Sequence, residues 1–172
     1  MRLILLRHAK TEKAAPGASD RDRVLTKRGR KDAAAIGAYL AHHALLPDRA
    51  LVSTAERTRE TWERLALSPS PAVSFEDDLY DAGPGDILNV IKAGGRKARL
   101  LLAIGHNPGF HEAARLLIAA GDVAARERLN EGLPTAGLVV IDFAGDDWDT
   151  LAPHKGRLDR FVVPRTLRAA AD

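Results

Sequence analysis

The chain has 172 residues, enough for one well-packed domain and short for two. Hydrophobic residues make up 45% and charged residues 28%, which is too apolar for disorder and ordinary for a globular protein. With 26 basic and 23 acidic residues the formal charge is +3, too small an excess to argue for nucleic acid, and the absence of cysteine excludes disulfides, thiol catalysis and cysteine-bound zinc. The apolar run after Arg2 stops at Leu6, too short for a signal-peptide core. No run approaches the roughly 18 residues of a membrane helix, so a cytoplasmic protein without membrane contact is expected.

Leu3-Ile4-Leu5-Leu6 reads as a strand buried on both faces. A polar loop from Thr11 to about Asp22 leads to a helix over 31–43, with Ala34, Ile36, Tyr39 and Leu40 on its apolar side. Residues 50–53 form a second strand. A helix over 57–67 comes next, with Ser53 or Thr54 as N-cap and Trp62, Leu65 and Ala66 toward the core. A short third strand covers 72–75, and Asp86 caps a helix reaching Lys92 that Gly94-Gly95 ends. Residues 100–104 form a fourth strand, as apolar as the first, succeeded by helices over 110–120 and 123–129. A fifth strand covers 138–143, with Trp148 to Leu151 pairing beside it across the Gly145-Asp146-Asp147 turn. A single domain would thus span 1–168, with 169–172 as a short tail. This alternation implies a three-layer α/β/α sandwich with a largely parallel central sheet, whose ligand site lies beyond the carboxyl ends of the strands.

The residues just past each strand are therefore informative. The first strand delivers Arg7-His8-Ala9-Lys10, the second Ser53 through Arg57, and the fourth Gly105-His106-Asn107-Pro108. Two guanidinium groups around one point repel each other, so their convergence implies an anionic ligand, and phosphate fits best. The same charges disfavour an imidazolium, and a neutral imidazole beside a phosphoryl group is a competent nucleophile. Arginine can supply the charge stabilisation that a metal gives elsewhere. HExxH, P-loop, G-x-S-x-G and G-x-G-x-x-G patterns are all missing from the sequence.

Other charges have plainer readings. Lys10 points either at substrate or at solvent. Arg59, Glu60, Glu63 and Arg64 read as solvated partners along a helix. Arg21, Arg23, Lys27, Arg28, Arg30 and Lys31 form a basic cluster: a solvated loop and helix start, or a docking patch for an acidic protein surface. Arg157, Arg160, Arg165 and Arg168 read as surface charges, and Trp62 and Trp148 as core.

Arg7-His8-Ala9 on an N-terminal strand resembles the Arg-His-Gly signature of the histidine phosphatase superfamily, whose fold is phosphoglycerate-mutase-like. Ser53-x-Ala55-x-Arg57-Thr58-x-x-Thr61 is similar to its second block and Gly105-His106-Asn107-Pro108 to its third. Asp20, Arg23, Leu25-Thr26 and Gly29 resemble the segment after the signature in small bacterial members. The likeness runs from Met1 to about Gly109, and Arg-His-Ala-Lys with the short length is most similar to SixA-type phosphohistidine phosphatases.

The resemblance implies a metal-independent, cofactor-free phosphatase in which His8 is the nucleophile and forms a phosphohistidine intermediate. Arg7, Arg57 and His106 would hold the phosphoryl oxygens, with the Asn107 backbone amide assisting at a helix start. The general acid falls in a Leu-x-Glu segment in the superfamily. Here the stretch is Leu79-Tyr80-Asp81, so Asp81 is the candidate, shorter by one C–C bond, with Asp78 as rival or no acid at all. The implied substrate is phosphohistidine on a signalling protein, reached through a site too short of chain for long lids. The alternatives are a small-molecule phosphomonoesterase with the same site and a non-catalytic phosphate-binding or scaffold protein.

Overall fold

Along strand β1 (Arg2–Arg7), Leu3 and Leu5 face one side and Ile4 and Leu6 the other, and all four are fully buried. A run apolar on both faces has to be sandwiched, because each such side chain contributes about 1.5–3 kcal/mol when removed from water. The computed structural model, which describes residues 1–170, does this with a seven-stranded sheet. β1 pairs in parallel with β4 (Leu100–Gly105), β4 with β2 (Arg49–Ser53), and β2 with β3 (Ala72–Glu76). On its other edge β1 meets β6 (Leu138–Asp142) antiparallel, β6 meets β7 (Gly156–Val162) antiparallel, and β7 takes the short β5 (Ile118–Gly121) in parallel. The order is β3-β2-β4-β1-β6-β7-β5, and β6 alone runs against the others among the described residues.

Helices α1 (Lys27–His42), α2 (Glu56–Leu65) and α6 (Pro164–Ala169) cover the face that carries Ile4, Val52 and Ile104. Helices α3 (Pro84–Gly95), α4 (Gly109–Leu117) and α5 (Val123–Glu131) cover the face of Leu3, Leu51 and Leu101. The largely parallel α/β/α sandwich expected from the sequence is the fold observed. No helix among the described residues is long and apolar enough to cross a membrane.

The differences from the expected elements have local causes. α1 begins at Lys27, a turn early, because the Thr26 hydroxyl accepts the Gly29 N–H at 2.9 Å. Its buried side then includes Asp32 and Ala33, while Ala34 is exposed. Ala55 caps α2 without a side-chain bond, since Ser53 is committed elsewhere, and Ala66, past the helix end, is exposed. Asp86 lies inside the first turn of α3, which Gly83 and Pro84 open. Ile118 to Ala120, expected as the end of a helix, instead belong to β5, which runs on to Gly121.

Trp148 to Thr150 is a 3-10 turn rather than a strand: the indole N–H of Trp148 donates to Ala98 O at 2.7 Å, and Asp147 accepts the Asp149 N–H. β7 takes the place beside β6. Its register jumps between Val140–Arg160 and Ile141–Leu158, a bulge at Asp159 that breaks the alternation. Ala169 closes α6 rather than starting a tail, and Ala171 and Asp172 lie outside the described residues.

Candidate active site

The last residue of β1, Arg7, stands opposite Gly105, the last of β4, and Ser53 ends the neighbouring β2. Three adjacent parallel strands thus release their chains at one edge. The His8 N–H donates to Gly105 O at 3.0 Å, and the Ala136 N–H donates to the carbonyls of Arg7 and His8. The His8 and His106 ring centroids come within 5.4 Å of each other, and both residues are buried.

The protonation of His8 is set by its contacts. Its Nδ1 lies 2.8 Å from Ala9 O. A carbonyl only accepts, so Nδ1 carries the proton and Nε2 keeps its lone pair. Burial first, then the charges of Arg57, Arg7 and Arg23, push the pKa down to about 4, so the ring is neutral at pH 7. His106 is pushed down to about 3, by burial and then by Arg57 and His8. Its Nε2 sits 2.7 Å from the fully buried Ser53 hydroxyl. That hydroxyl also accepts the Ala55 N–H at 3.5 Å, and Nε2 is the one acceptor among the described hydrogen bonds for its own proton. The His106 proton then resides on Nδ1, a buried donor with no partner.

Arg57 lies in the first turn of α2 and is 6% exposed. Its Nη1 donates to Asp20 O at 2.9 Å and its Nη2 to Asp20 Oδ2 at 3.1 Å, while Nε is left without a partner. Arg7 donates from Nη1 to Leu133 O at 3.1 Å, and its Nε is likewise unpartnered. Asn107 Nδ2 donates to the same Leu133 carbonyl at 2.8 Å. Buried donors without acceptors are costly and uncommon. Here Arg7, Arg57 and His106 each keep such a donor, His106 lies beside His8, and both arginine charges act on the His8 ring, an environment that suits a phosphoryl group.

A rim surrounds this floor. Tyr80 lies edge-on to His106 with centroids 5.5 Å apart, and its hydroxyl donates to Asp20 Oδ2 at 2.6 Å. That bond, with those from Arg23 and Arg57, holds the Asp20 carboxyl down to about 2. Arg21 stacks over the Tyr80 ring at 4.1 Å. Gly109 lets the Tyr80 loop approach, since a Cβ there would meet Ala82 O at 2.0 Å.

The structure thus brings Arg7, His8, Arg57, His106 and Asn107 together. It does not tie in the others. Asp81 is exposed, with a left-handed φ of 51°, and with Asp78 it lines a groove that Tyr80 shares; no hydrogen bond or ion pair links either to His8, Arg7, Arg57 or His106. Lys10 is exposed and lines a different cavity.

Sequence alone assigns no role to Ser53 beyond a cap or to Tyr80, and places Asp20 only as part of a segment. Tyr80 is legible only as the middle of Leu79-Tyr80-Asp81. Glu60 is not a solvated partner: it is buried, accepting the Leu25 N–H at 2.7 Å and Arg30 Nε at 2.5 Å. The basic cluster is not one open patch either, because Arg23 is bound to Asp20 and Thr11, Arg30 to Glu60, and Arg21 to Thr54 and Asp77.

Residues 3–108 match the histidine phosphatase superfamily (branch 1). The chain belongs to this superfamily. An uncharacterized protein of Mycobacterium tuberculosis is 36% identical over 163 residues, covering 93% of this chain and 100% of its own. A SixA phosphohistidine phosphatase candidate from Agrobacterium tumefaciens superposes with a TM-score of 0.81 at 31% identity, over 95% of this chain and 97% of that one. Its counterpart from Nakamurella multipartitia gives 0.83 at 29%, over 95% of each. This chain is accordingly a phosphatase with a phosphoglycerate-mutase-like fold, similar to SixA proteins.

Proposed function

We propose that the chain is a metal-independent phosphohistidine phosphatase that acts on a phosphorylated protein. The carrying observation is that His8, with Nε2 unprotonated, lies beside His106 and within reach of the Arg7 and Arg57 charges, and that each of those three residues keeps a buried donor without a partner. His8 Nε2 attacks phosphorus in line, the bond to the leaving nitrogen breaks, and the phosphoryl group passes to His8. Arg7, Arg57 and His106 take up the charge on its oxygens, which is the main demand of phosphoryl transfer. The Asn107 amide adds a donor beside the start of α4. Water then attacks phospho-His8, releasing inorganic phosphate and the neutral imidazole.

A phosphoramidate leaves as imidazole and can carry in its own proton, so the chemistry tolerates an acid as loosely held as Asp81. An alkoxide leaving group would need that proton far more. This difference favours phosphohistidine over phosphomonoesters. The test is a panel of phosphohistidine proteins, phosphohistidine peptides and metabolite phosphates, with wild type beside His8→Ala and with chelator present. Phosphohistidine should give the highest kcat/KM, and His8→Ala should be inactive on every substrate. A sugar phosphate turned over far faster than any phosphohistidine would move the reading to a small-molecule phosphomonoesterase. Absence of turnover throughout would leave only a phosphate-binding protein.

A further inference from the structure

A cavity of about 470 Å³ adjoins the loop that backs His8, and Lys10, Arg28, Pro134, Thr135, Arg165 and Arg168 line it. Its one carboxylate, Asp32, is already engaged by Arg168 at 2.6 Å and Arg28 at 3.6 Å. Within the described residues the side chains of Lys10 and Arg165 have no acidic partner. Four cations against one carboxylate make this the place on the wall for an anion.

The cavity is built into the site. Lys10 lies two residues beyond the nucleophile, and its carbonyl accepts the Thr26 N–H at 2.9 Å. Helix α1 lies so close that a Cβ on Gly29 would meet Lys10 O at 2.1 Å, which fixes this backbone. Pro134 and Thr135 belong to the loop whose Leu133 carbonyl holds Arg7 and Asn107 and whose Ala136 N–H holds Arg7 and His8.

A second groove of about 640 Å³ shares Pro134, Val163 and Arg165 with the cavity, adds Leu133 and Phe161, and reaches Asn107. Cations beside a groove that sets Leu133, Phe161 and Val163 among His111, Arg128 and Glu131 suit a polypeptide that carries carboxylates and an apolar side chain. Guanidinium forks match carboxylates in pairs. Phe161 is the lone aromatic ring of the phenylalanine, tyrosine or tryptophan type in these walls, which offers little to stacked bases.

We propose that this cavity is the docking pocket for an acidic segment of the protein substrate, holding Asp or Glu side chains while the phosphorylated residue enters at His8. It rests on the protein-substrate reading above, and the experiment separates the two. Two fluorescein-labelled histidine peptides, one with an Asp/Glu flank and one with the matching Asn/Gln flank, are titrated by anisotropy into the full chain. Wild type and Arg28→Glu/Arg165→Glu are compared, with Arg165→Gln, at an exposed position, as the milder variant.

Wild type should bind the acidic peptide about tenfold tighter, and the double variant should lose that preference. With the phosphorylated peptides KM should rise about tenfold for the acidic one at unchanged kcat, while turnover of p-nitrophenyl phosphate stays within about twofold. Equal binding of both peptides by wild type overturns the pocket. So does a preference that survives in both variants, or an oligothymidylate that displaces the acidic peptide at lower concentration. Acidic-peptide binding with no phosphohistidine turnover instead removes the phosphohistidine reading and leaves the pocket standing.

Discussion

His8, Ser53 and His106 stand at the ends of three neighbouring parallel strands, fixed by contacts such as His8 N–H to Gly105 O at 3.0 Å and Ser53 Oγ to His106 Nε2 at 2.7 Å. Asp20, Arg21 and Tyr80 reach the same space from two 3-10 turns and are held largely by one another. The floor is buried and held by several contacts, so its groups need little reorganisation when a phosphoryl group arrives. The rim is partly exposed, where ion pairs contribute little singly. Chemistry should therefore depend on the floor, and choice of substrate and leaving group on the rim.

The largest break in this contrast comes from the floor. His8→Ala should lower kcat by about 10³-fold or more, and Arg57→Ala by about 10²–10³-fold, in steady-state assays on one phosphohistidine peptide. Ser53→Ala should rank next at about tenfold, because Ser53 only positions His106. Its effect should fall on kcat rather than KM, with a displaced His106 titration by NMR. An equal loss in KM, or an unmoved titration, would return Ser53 to a structural role.

Acid stability reads the same floor. His8 and His106 titrate at about 4 and about 3 in the folded chain, below the ordinary value of 6.5. Between pH 6.5 and about 3 the unfolded chain therefore binds more protons, His8 contributing down to about 4 and His106 down to about 3. The stability these neutral rings contribute is complete above pH 6.5 and is lost as pH falls through that window. Denaturation midpoints of wild type should drop with a steeper slope there than those of His106→Gln, and identical slopes would contradict the burial argument.

The smallest effect should come from Asp81, next to the rim's Tyr80 in the chain. Asp81→Asn should slow esters with poor leaving groups by about tenfold and phosphohistidine by less than about twofold. An equal effect on both would remove Asp81 as proton donor.

The floor was legible because a strand apolar on both faces has one way to be buried, and the residue types just beyond it stand out. β1, β2 and β4 carry that pattern. β7 does not: the bulge at Asp159 puts Arg157, Asp159 and Arg160 into a run whose apolar residues lose their phase. β5 was hidden because Leu116 to Ala120 suits a helix as well as a strand, and pairing with Gly156 decides it. Ser53 and Glu60 look like a cap and a solvated acid locally. Only the approach of His106 and of the Leu25–Arg30 segment gives them their roles. Tyr80 and Asp20, 60 residues apart, meet by tertiary folding alone.

The most direct test of the central claim is to trap the covalent intermediate. Wild type mixed with a phosphohistidine peptide, quenched in alkali and digested, should yield an acid-labile, base-stable phosphate on the peptide that contains His8, and His8→Ala should yield none. Phosphate on another residue, or turnover with an unlabelled His8 peptide at every quench time, would contradict it.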